Sequence, residues 1–236
     1  EGYSATAARL VSEGQTPYLD FFYPHMRLLP YIYAPVYKMA GSSLANMRLF
    51  SVAVGVLSLF LWGLILQRRW PGRPAIVLGG LVLVAVNPYF LSWNVTVKTF
   101  ALTNLSIFAT LWALDRGLQS SRRSWFVLAG AAAGLGVGVR LLYLPWAGTL
   151  VLVLAWLGMR GMKKKLRLGN MIAYFGGMLA GLTPSVVFVF LDPDRFFFNN
   201  LRYHQLRFSS LDRAGGGDGI QALVALQVLG ETLFMN

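Results

Sequence analysis

The sequence contains no cysteine and few charged residues. Without cysteine it offers neither a disulfide nor a thiolate ligand for a metal. Charged residues make up 13% of its 236 positions, whereas a soluble domain carries about 25%. A soluble globular enzyme is therefore a poor interpretation of this composition.

Other familiar signals are missing as well. No Walker motif is present, so nothing in the sequence indicates an ATPase domain. There is no initiator methionine and no signal peptide, and the last apolar block, 220–236, has no flanking basic anchor. From these features we expect the sequence to be a fragment of a longer chain.

Apolar residues are abundant and come in long blocks. They make up 56% of the sequence, and the blocks run for about 16–23 residues, the length that crosses roughly 30 Å of hydrocarbon. The blocks are apolar on all sides, unlike the surface helices of a soluble protein. The sequence predicts an all-α, polytopic integral membrane protein with a transmembrane domain at 45–236. The expected spans are 46–66, 75–93, 97–114, 124–139, 141–159 and 169–191, with another starting at 220.

Two of these blocks, 124–139 and 141–159, are separated by Arg140 alone. A single helix of about 36 apolar residues would be longer than a bilayer requires. We therefore predict a tight hairpin turn framed by Gly134–Gly138 and Pro145.

Residues 1–44 have a different pattern from the membrane spans. One helical stripe begins at Tyr3 and stops before Gly14. A second begins at Leu29, is interrupted by prolines and ends near Gly41. Both stripes are too short or too broken to cross a membrane. We expect two helices lying at the membrane interface, within the first extracytoplasmic loop.

The net charge of +12 arises from basic residues that concentrate in three loops, and their placement indicates the membrane topology. Gln67–Arg73, Asp115–Arg123 and Arg160–Arg167 together contain eleven Lys or Arg and one acid, whereas the rest of the chain has ten basic and eight acidic residues. The positive-inside rule places these three loops in the cytoplasm. The first loop, the turns near Lys98 and Arg140, and the loop 192–219 then lie on the opposite side. Topology thus explains the charge, and we predict no nucleic-acid partner.

Polar side chains are expected to converge on that opposite side. They are Glu1, Asp20, His25, Arg27, Lys98, Arg140, Arg202, Tyr203, His204 and Arg207. Lys98 and Arg140 are the most informative, because each lies at the edge of an apolar block, and a cation costs about 2.5–3.5 kcal/mol at a helix centre and less near the interface. Two such cations suit a lipid phosphate or pyrophosphate, whose charge they would stabilise as it leaves. The alternative is that each snorkels to the lipid headgroups.

Transfer of a group from a lipid phosphate to a hydroxyl or amine would also need a carboxylate, because the acceptor must lose a proton. The first loop offers Glu1, Glu13 and Asp20. Glu13 lies beside Gly14 at a helix end and is expected to be solvated. Asp20 lies among aromatic residues, where a loop hydrogen bond and a role in the site are equally open.

The two histidines, His25 and His204, fall on the same predicted side. A two-histidine metal site has weak support, since no carboxylate is placed beside them. We predict no metal ligands, and a need for a divalent cation stays open. Asn200–Arg207 interleaves basic and aromatic residues, which suits either lipid headgroups or an interfacial helix.

Several segments share a pattern with one family. Glu1-Gly-Tyr, Ala7-Ala-Arg9 and Gly14 follow the order D-E-x-x-Y…A-R…G, and the first 50 residues are the most specific part. The other matching segments are Pro17–His25, Leu28–Pro30, Gly41–Ser51, Val97–Leu102 and Leu201–His204. Together they resemble the GT-C-type glycosyltransferases of the family 39-like group, which is related to protein O-mannosyltransferases and the aminoarabinose transferase of lipid A.

The resemblance implies a GT-C-like fold, a polyprenyl-phosphate-linked sugar as donor, and an inverting transfer on the extracytoplasmic side. It also implies a catalytic Asp immediately before the Glu of the first loop. Since the sequence begins at Glu1, we expect this base to be missing from the piece, which would then be inactive. The residues predicted to form the site are Glu1, beside the missing Asp, and Asp20 as catalytic residues, Lys98 and Arg140 for the donor phosphate, and His25, Arg27, Tyr203 and His204 for substrate.

The leading interpretation is thus a glycosyltransferase in a bacterial cytoplasmic membrane, facing the periplasm or exterior. Membrane lipids surround it, and its acceptor is an unidentified protein, lipid or glycan. The alternatives are a transporter or lipid flippase, and a non-catalytic scaffold. A transporter is expected to show repeats or matching broken spans, which the sequence does not display. A scaffold would not need Lys98 and Arg140 on one face.

Overall fold

The computed structural model describes residues 1–41, 43–159 and 168–206, which are mostly helical and contain no strand. Arg207, the basic loop Arg160–Arg167 and the apolar block from 220 lie outside the described residues. The helices are α1 (Gly2–Ser12), α2 (Leu28–Ala40), α3 (Leu44–Arg69), α4 (Pro74–Ala85), α5 (Pro88–Asn94), α6 (Thr99–Ser120), α7 (Arg123–Val139), α8 (Leu144–Met159), α9 (Leu168–Leu191) and α10 (Pro193–Phe197). A 3-10 turn (Leu141–Tyr143) precedes α8, and a π-helical turn (Phe198–Arg202) follows α10.

The first loop forms the two predicted helices, α1 and α2. Gly14 and Gly41 follow them with φ of +95° and +83°, in the left-handed region that glycine adopts at low cost. α2 runs on past Pro35, so the proline that appeared to interrupt the stripe does not end the helix. Its buried residues, including Leu29 and Tyr33, pack against α3 and α6, which offsets the lost backbone hydrogen bond. The position of both helices at the membrane interface stays a prediction.

Each of the six predicted spans corresponds to a helix or a pair of helices. Among the described residues, Leu44–Arg69, Leu141–Gly158 and Leu168–Leu191 are long and apolar enough to cross a membrane. α4 and α5 are bent by 61° and would form a fourth, broken span, and α7 is shorter, at 17 residues. The all-α, multi-spanning architecture is confirmed, whereas the number of six complete spans stays a prediction.

The hairpin turn between α7 and α8 lies at Arg140. α7 continues through Gly134–Gly138 and ends at Val139, and Arg140 is extended, with φ −151° and ψ 112°. The break therefore falls inside the predicted frame. The glycines do not form the turn, and they have a different function in the structure.

Glycines allow α7 and α9 to pack backbone against backbone. A Cβ atom added at any of four positions would overlap a backbone carbonyl oxygen of the other helix; these are Gly130, Gly134, Gly177 and Gly181. Small residues spaced four apart permit this close approach between membrane helices. Gly130 lies against Tyr174, and Gly138 lies against Ser185. Because later residues of α7 contact later residues of α9, the two helices run parallel.

The bundle has two ends that differ in their polar residues. At one end, termed the loop end, α3 and α6 begin, α7 and α9 finish, and the first loop packs. At the other, termed the arginine end, Arg69 of α3 pairs with Asp115 of α6, with Nη2 and Oδ1 2.7 Å apart. Gln67–Arg73 and Asp115–Arg123, which the sequence assigns to the cytoplasm, thus lie together. Which end faces the cytoplasm stays a prediction.

The glycine contact predicts a large difference between two neighbouring substitutions in α9. Gly177→Ala places a methyl group against the backbone carbonyl of Val127, and we expect the free energy of unfolding to fall by about 1–3 kcal/mol. Gly176→Ala is the control, because no atom lies within 4 Å of its added Cβ; it should be neutral or slightly stabilising. Chemical unfolding of the full-length protein in detergent measures both, and equal losses would contradict the contact.

Candidate functional site

Glu1 connects three helical elements at the loop end. Its carboxylate accepts two hydrogen bonds from Arg48, with Nε–Oε1 at 2.8 Å and Nη2–Oε2 at 2.7 Å. A third comes from the backbone N–H of Val97 at 3.1 Å. Since Arg48 lies in the second turn of α3 and Val97 just precedes α6, one carboxylate holds α1, α3 and α6 together. The hydrogen bonds from Arg48 lower the pKa of Glu1 to about 2, so the group is ionised at neutral pH.

Lys98 and Arg140, the two predicted phosphate ligands, each lie against one ring of an aromatic pair. Lys98 Nζ is 4.6 Å from the centroid of the Trp93 ring, and Arg140 Cζ is 4.3 Å from that of Phe100. The centroids of the two rings are 4.4 Å apart. The structure therefore places both cations in one region of the loop end.

Neither cation is neutralised by an acid among the described residues. Both side chains are half-buried. Cation–π attraction is worth about 0.5–2 kcal/mol and leaves the formal charge uncompensated. Each cation therefore keeps its charge, without an acidic partner in the described part of the chain.

Arg27 is a third cation at this end, at the start of α2. It is 7% exposed. Its guanidinium lies over the Phe188 ring of α9, and its Nη2 donates to the Tyr31 hydroxyl at 3.3 Å. Nη1 has no hydrogen-bond partner, and burial lowers the pKa of Arg27. The Arg27 side chain holds the first loop against α9, and its Nη1 is left without an acceptor.

The two histidines, 179 positions apart in the sequence, stack on each other. The ring centroids of His25 and His204 are 5.8 Å apart, and His204 Nε2 lies 2.9 Å from the carbonyl oxygen of Pro24. Tyr203 packs edge-on against Phe22, with centroids 5.0 Å apart. The predicted substrate residues of the first loop and of the segment after α9 are therefore neighbours. Among the described residues, no group of three or more His, Cys, Asp or Glu could hold a metal ion.

The segment after α9 is bonded directly to the backbone of the first loop. Arg195 Nη1 donates to the carbonyl oxygen of Leu19 at 2.9 Å. The Asn199 side-chain oxygen accepts from the N–H of Tyr23 at 3.1 Å, and Asn200 Nδ2 donates to the Tyr18 hydroxyl at 3.1 Å. The first 15 residues of the predicted loop 192–219 are thus mostly helical and pack on the first loop.

Asp20 is exposed, and its carboxylate closes a local turn. Its Oδ2 accepts from the backbone N–H of Thr16 at 2.6 Å, and its own N–H donates to the Thr16 carbonyl at 2.9 Å. Of the two alternatives for Asp20, the loop hydrogen bond is therefore present, and a catalytic role stays a prediction.

Sequence reasoning missed several residues of this end. The structure adds Arg48, Trp93, Phe100, Asn199 and Asn200. A signal existed for two of the five. Asn199 and Asn200 are adjacent amides after an aromatic run, and buried amides require hydrogen-bond partners. Nothing local marks Arg48 as the partner of Glu1.

The Glu1–Arg48 pair predicts a pH dependence of stability. Because the pKa of Glu1 is lowered from 4.5 to about 2 in the folded state, the pair stabilises the fold above about pH 4.5 and loses this contribution as the pH falls towards 2. Glu1→Gln should lower the melting temperature at pH 6 and flatten its decline between pH 5 and pH 3. Glu13→Gln is the matched control, since its ion pair with Arg9 is about half exposed. Identical pH profiles for the two variants would contradict the assignment.

Residues 25–193 match the family described as dolichyl-phosphate-mannose-protein mannosyltransferase. No curated protein and no solved structure matches the chain. The matched range includes His25, Arg27, Lys98 and Arg140, and it confirms the resemblance to GT-C-type, family 39-like enzymes. Because it covers more than half of the sequence, the chain belongs to the dolichyl-phosphate-mannose-protein mannosyltransferase family, a family of membrane glycosyltransferases whose sugar donor is carried on a polyprenol phosphate.

Proposed function

We propose that the loop end transfers a sugar from a polyprenyl phosphate to an acceptor on the extracytoplasmic face of a bacterial cytoplasmic membrane. The observation that carries this proposal is the pair of uncompensated cations, Lys98 and Arg140, around the Trp93–Phe100 rings. Family membership supports the donor class. The sidedness, the acceptor and the roles of individual residues belong to the proposal.

Lys98 and Arg140 would hold the donor phosphate. Their half-buried setting weakens competition from water, so a charge-assisted contact is worth more there than on an open surface. The aromatic rings hold both cations in place before the ligand arrives, which lowers the reorganisation cost when charge builds on the departing phosphate.

The reaction would be a single displacement. The acceptor's hydroxyl oxygen attacks the anomeric carbon, the bond from that carbon to the phosphate oxygen breaks, and its electron pair leaves with the polyprenyl phosphate. The acceptor's proton passes to a carboxylate. Glu1 is a poor base because its pKa is about 2, so we assign it a positioning role. In this proposal the base is the Asp that the family pattern has next to this Glu, and the hydrogen bonds from Arg48 and Val97 would hold the chain there.

His25, Arg27, Tyr203 and His204 would contact the substrate. They join the first loop to α9 and to the segment after it. Imidazole, phenol and guanidinium groups supply donors for a hydroxyl-rich or anionic ligand. This proposal involves no metal ligand.

A transporter or flippase is the second candidate. The 61° bend between α4 and α5 is a broken span of the kind that transporters use. Among the described residues, however, no second bent pair matches it. Family membership favours the enzyme.

The phosphate assignment predicts the effect of removing either cation from the full-length protein. Lys98→Gln and Arg140→Gln should each lower kcat/KM for a polyprenyl-phosphate sugar by about 10–100-fold, because a charged hydrogen bond contributes about 1.5–3 kcal/mol. Lys38→Gln is the matched control, since Lys38 is exposed at the end of α2. Turnover and donor affinity that are unchanged in both cation variants would rule out these roles.

Sidedness predicts opposite labelling of two exposed positions. With other cysteines removed from the full-length protein, Lys38→Cys should react with a membrane-impermeant maleimide in intact cells. Arg122→Cys, at the arginine end, should react only after the membrane is permeabilised. The reverse pattern would place the loop end in the cytoplasm and remove the basis for an extracytoplasmic transfer.

A further inference from the structure

A cavity of about 310 Å³ lies at the arginine end, between the end of α3 and the start of α4. Its wall is apolar, formed by Val77, Leu78 and Leu81, and its rim is formed by Gln67, Trp70 and Arg73. This volume is at the lower end of the range of about 300–1,000 Å³ found for small-molecule sites. It suits a headgroup with its first methylene groups.

The charge around this cavity is strongly positive. Among the described residues, this end holds one acid, Asp115, and six arginines: Arg68, Arg69, Arg73, Arg116, Arg122 and Arg123. The carboxylate of Asp115 is already engaged, by Arg69 at 2.7 Å and by Gln119 at 2.8 Å. Arg73 is exposed and makes no ion pair within the described part of the chain.

The apolar wall continues along a helix that the protein leaves uncovered. α4 contains no buried residue, and Leu78 and Leu83 are 64% and 73% exposed. Trp70, 41% exposed at the rim, is the residue type that prefers the boundary between headgroups and hydrocarbon. A cation and a tryptophan above an apolar helix face are complementary to an anionic headgroup above an acyl chain.

We propose that this cavity binds one anionic glycerophospholipid, with its phosphate at Arg73 and an acyl chain along Val77–Leu81. The lipid would fill the gap between α3 and α4. Its negative charge would partly balance the six arginines of the arginine end. Inorganic phosphate has no apolar group to contact the apolar wall, so binding requires both the anionic headgroup and the acyl chain of the lipid. This site is separate from the loop end and does not depend on the transferase proposal.

Lipid binding to the full-length protein, measured by native mass spectrometry, tests the proposal. Phosphatidylglycerol should be retained in preference to phosphatidylcholine. Arg73→Gln should weaken phosphatidylglycerol binding about fivefold, the effect of one basic residue near a membrane surface, and leave phosphatidylcholine unchanged. Arg122→Gln is the matched control, because it removes one charge from the same end, outside the cavity.

A second pair of variants tests the apolar wall. Val77→Trp fills the cavity and should weaken phosphatidylglycerol binding, whereas Leu83→Trp, on α4 outside the cavity, should not. Equal losses in Arg73→Gln and Arg122→Gln would show diffuse surface attraction and overturn the site. Equal binding of the two lipids, or displacement of phosphatidylglycerol by inorganic phosphate at equal concentration, would overturn it as well.

Discussion

The parallel backbone contact between α7 and α9 determines where the loop end is built. In lipid, helices gain little from hiding apolar surface from each other, so close packing and interhelical hydrogen bonds must hold them together. The glycines supply the close packing, and Ser185 adds a hydrogen bond to the Gly138 carbonyl at 3.3 Å. Because the helices are parallel, Arg140 after α7 and α10 after α9 emerge at the same end. The segment after α9, whose residues form hydrogen bonds with the first loop, therefore lies at the same end as Arg140.

Both ends pair a carboxylate with arginine, and both hold cations against aromatic rings. At the arginine end, a buried carboxylate draws Arg68 and Arg69 of α3 onto α6, so its charge is spent on joining helices. At the loop end, Glu1 does the same with Arg48, but Lys98 and Arg140 are held by aromatic faces instead. An aromatic face fixes the position of a cation and leaves its charge available to a ligand.

The sequence predicted those features that a segment carries within itself. Block length predicted the helices and the break at Arg140, and charge placement grouped Gln67–Arg73 with Asp115–Arg123, which lie at one end. The function of the glycines in α7 was not predicted, because a glycine repeat marks a close approach without naming the partner helix. Pairings across long separations were also invisible, such as Glu1 with Arg48, 47 positions apart, and Tyr23 with Asn199, 176 positions apart. Periodicity describes one face of one element, and these bonds depend on where two faces meet.

The bonds between the first loop and the segment after α9 impose an order on biogenesis. About 180 residues separate their two halves, and a ribosome adds roughly 5–20 residues per second. The loop must therefore wait for on the order of ten seconds or more before its partners are synthesised. During that interval the Tyr23 N–H and the Tyr18 hydroxyl lack their partners Asn199 and Asn200. A nascent chain halted before α9 would contain Lys98 and Arg140, and its first loop would lack the hydrogen bonds from Asn199 and Asn200.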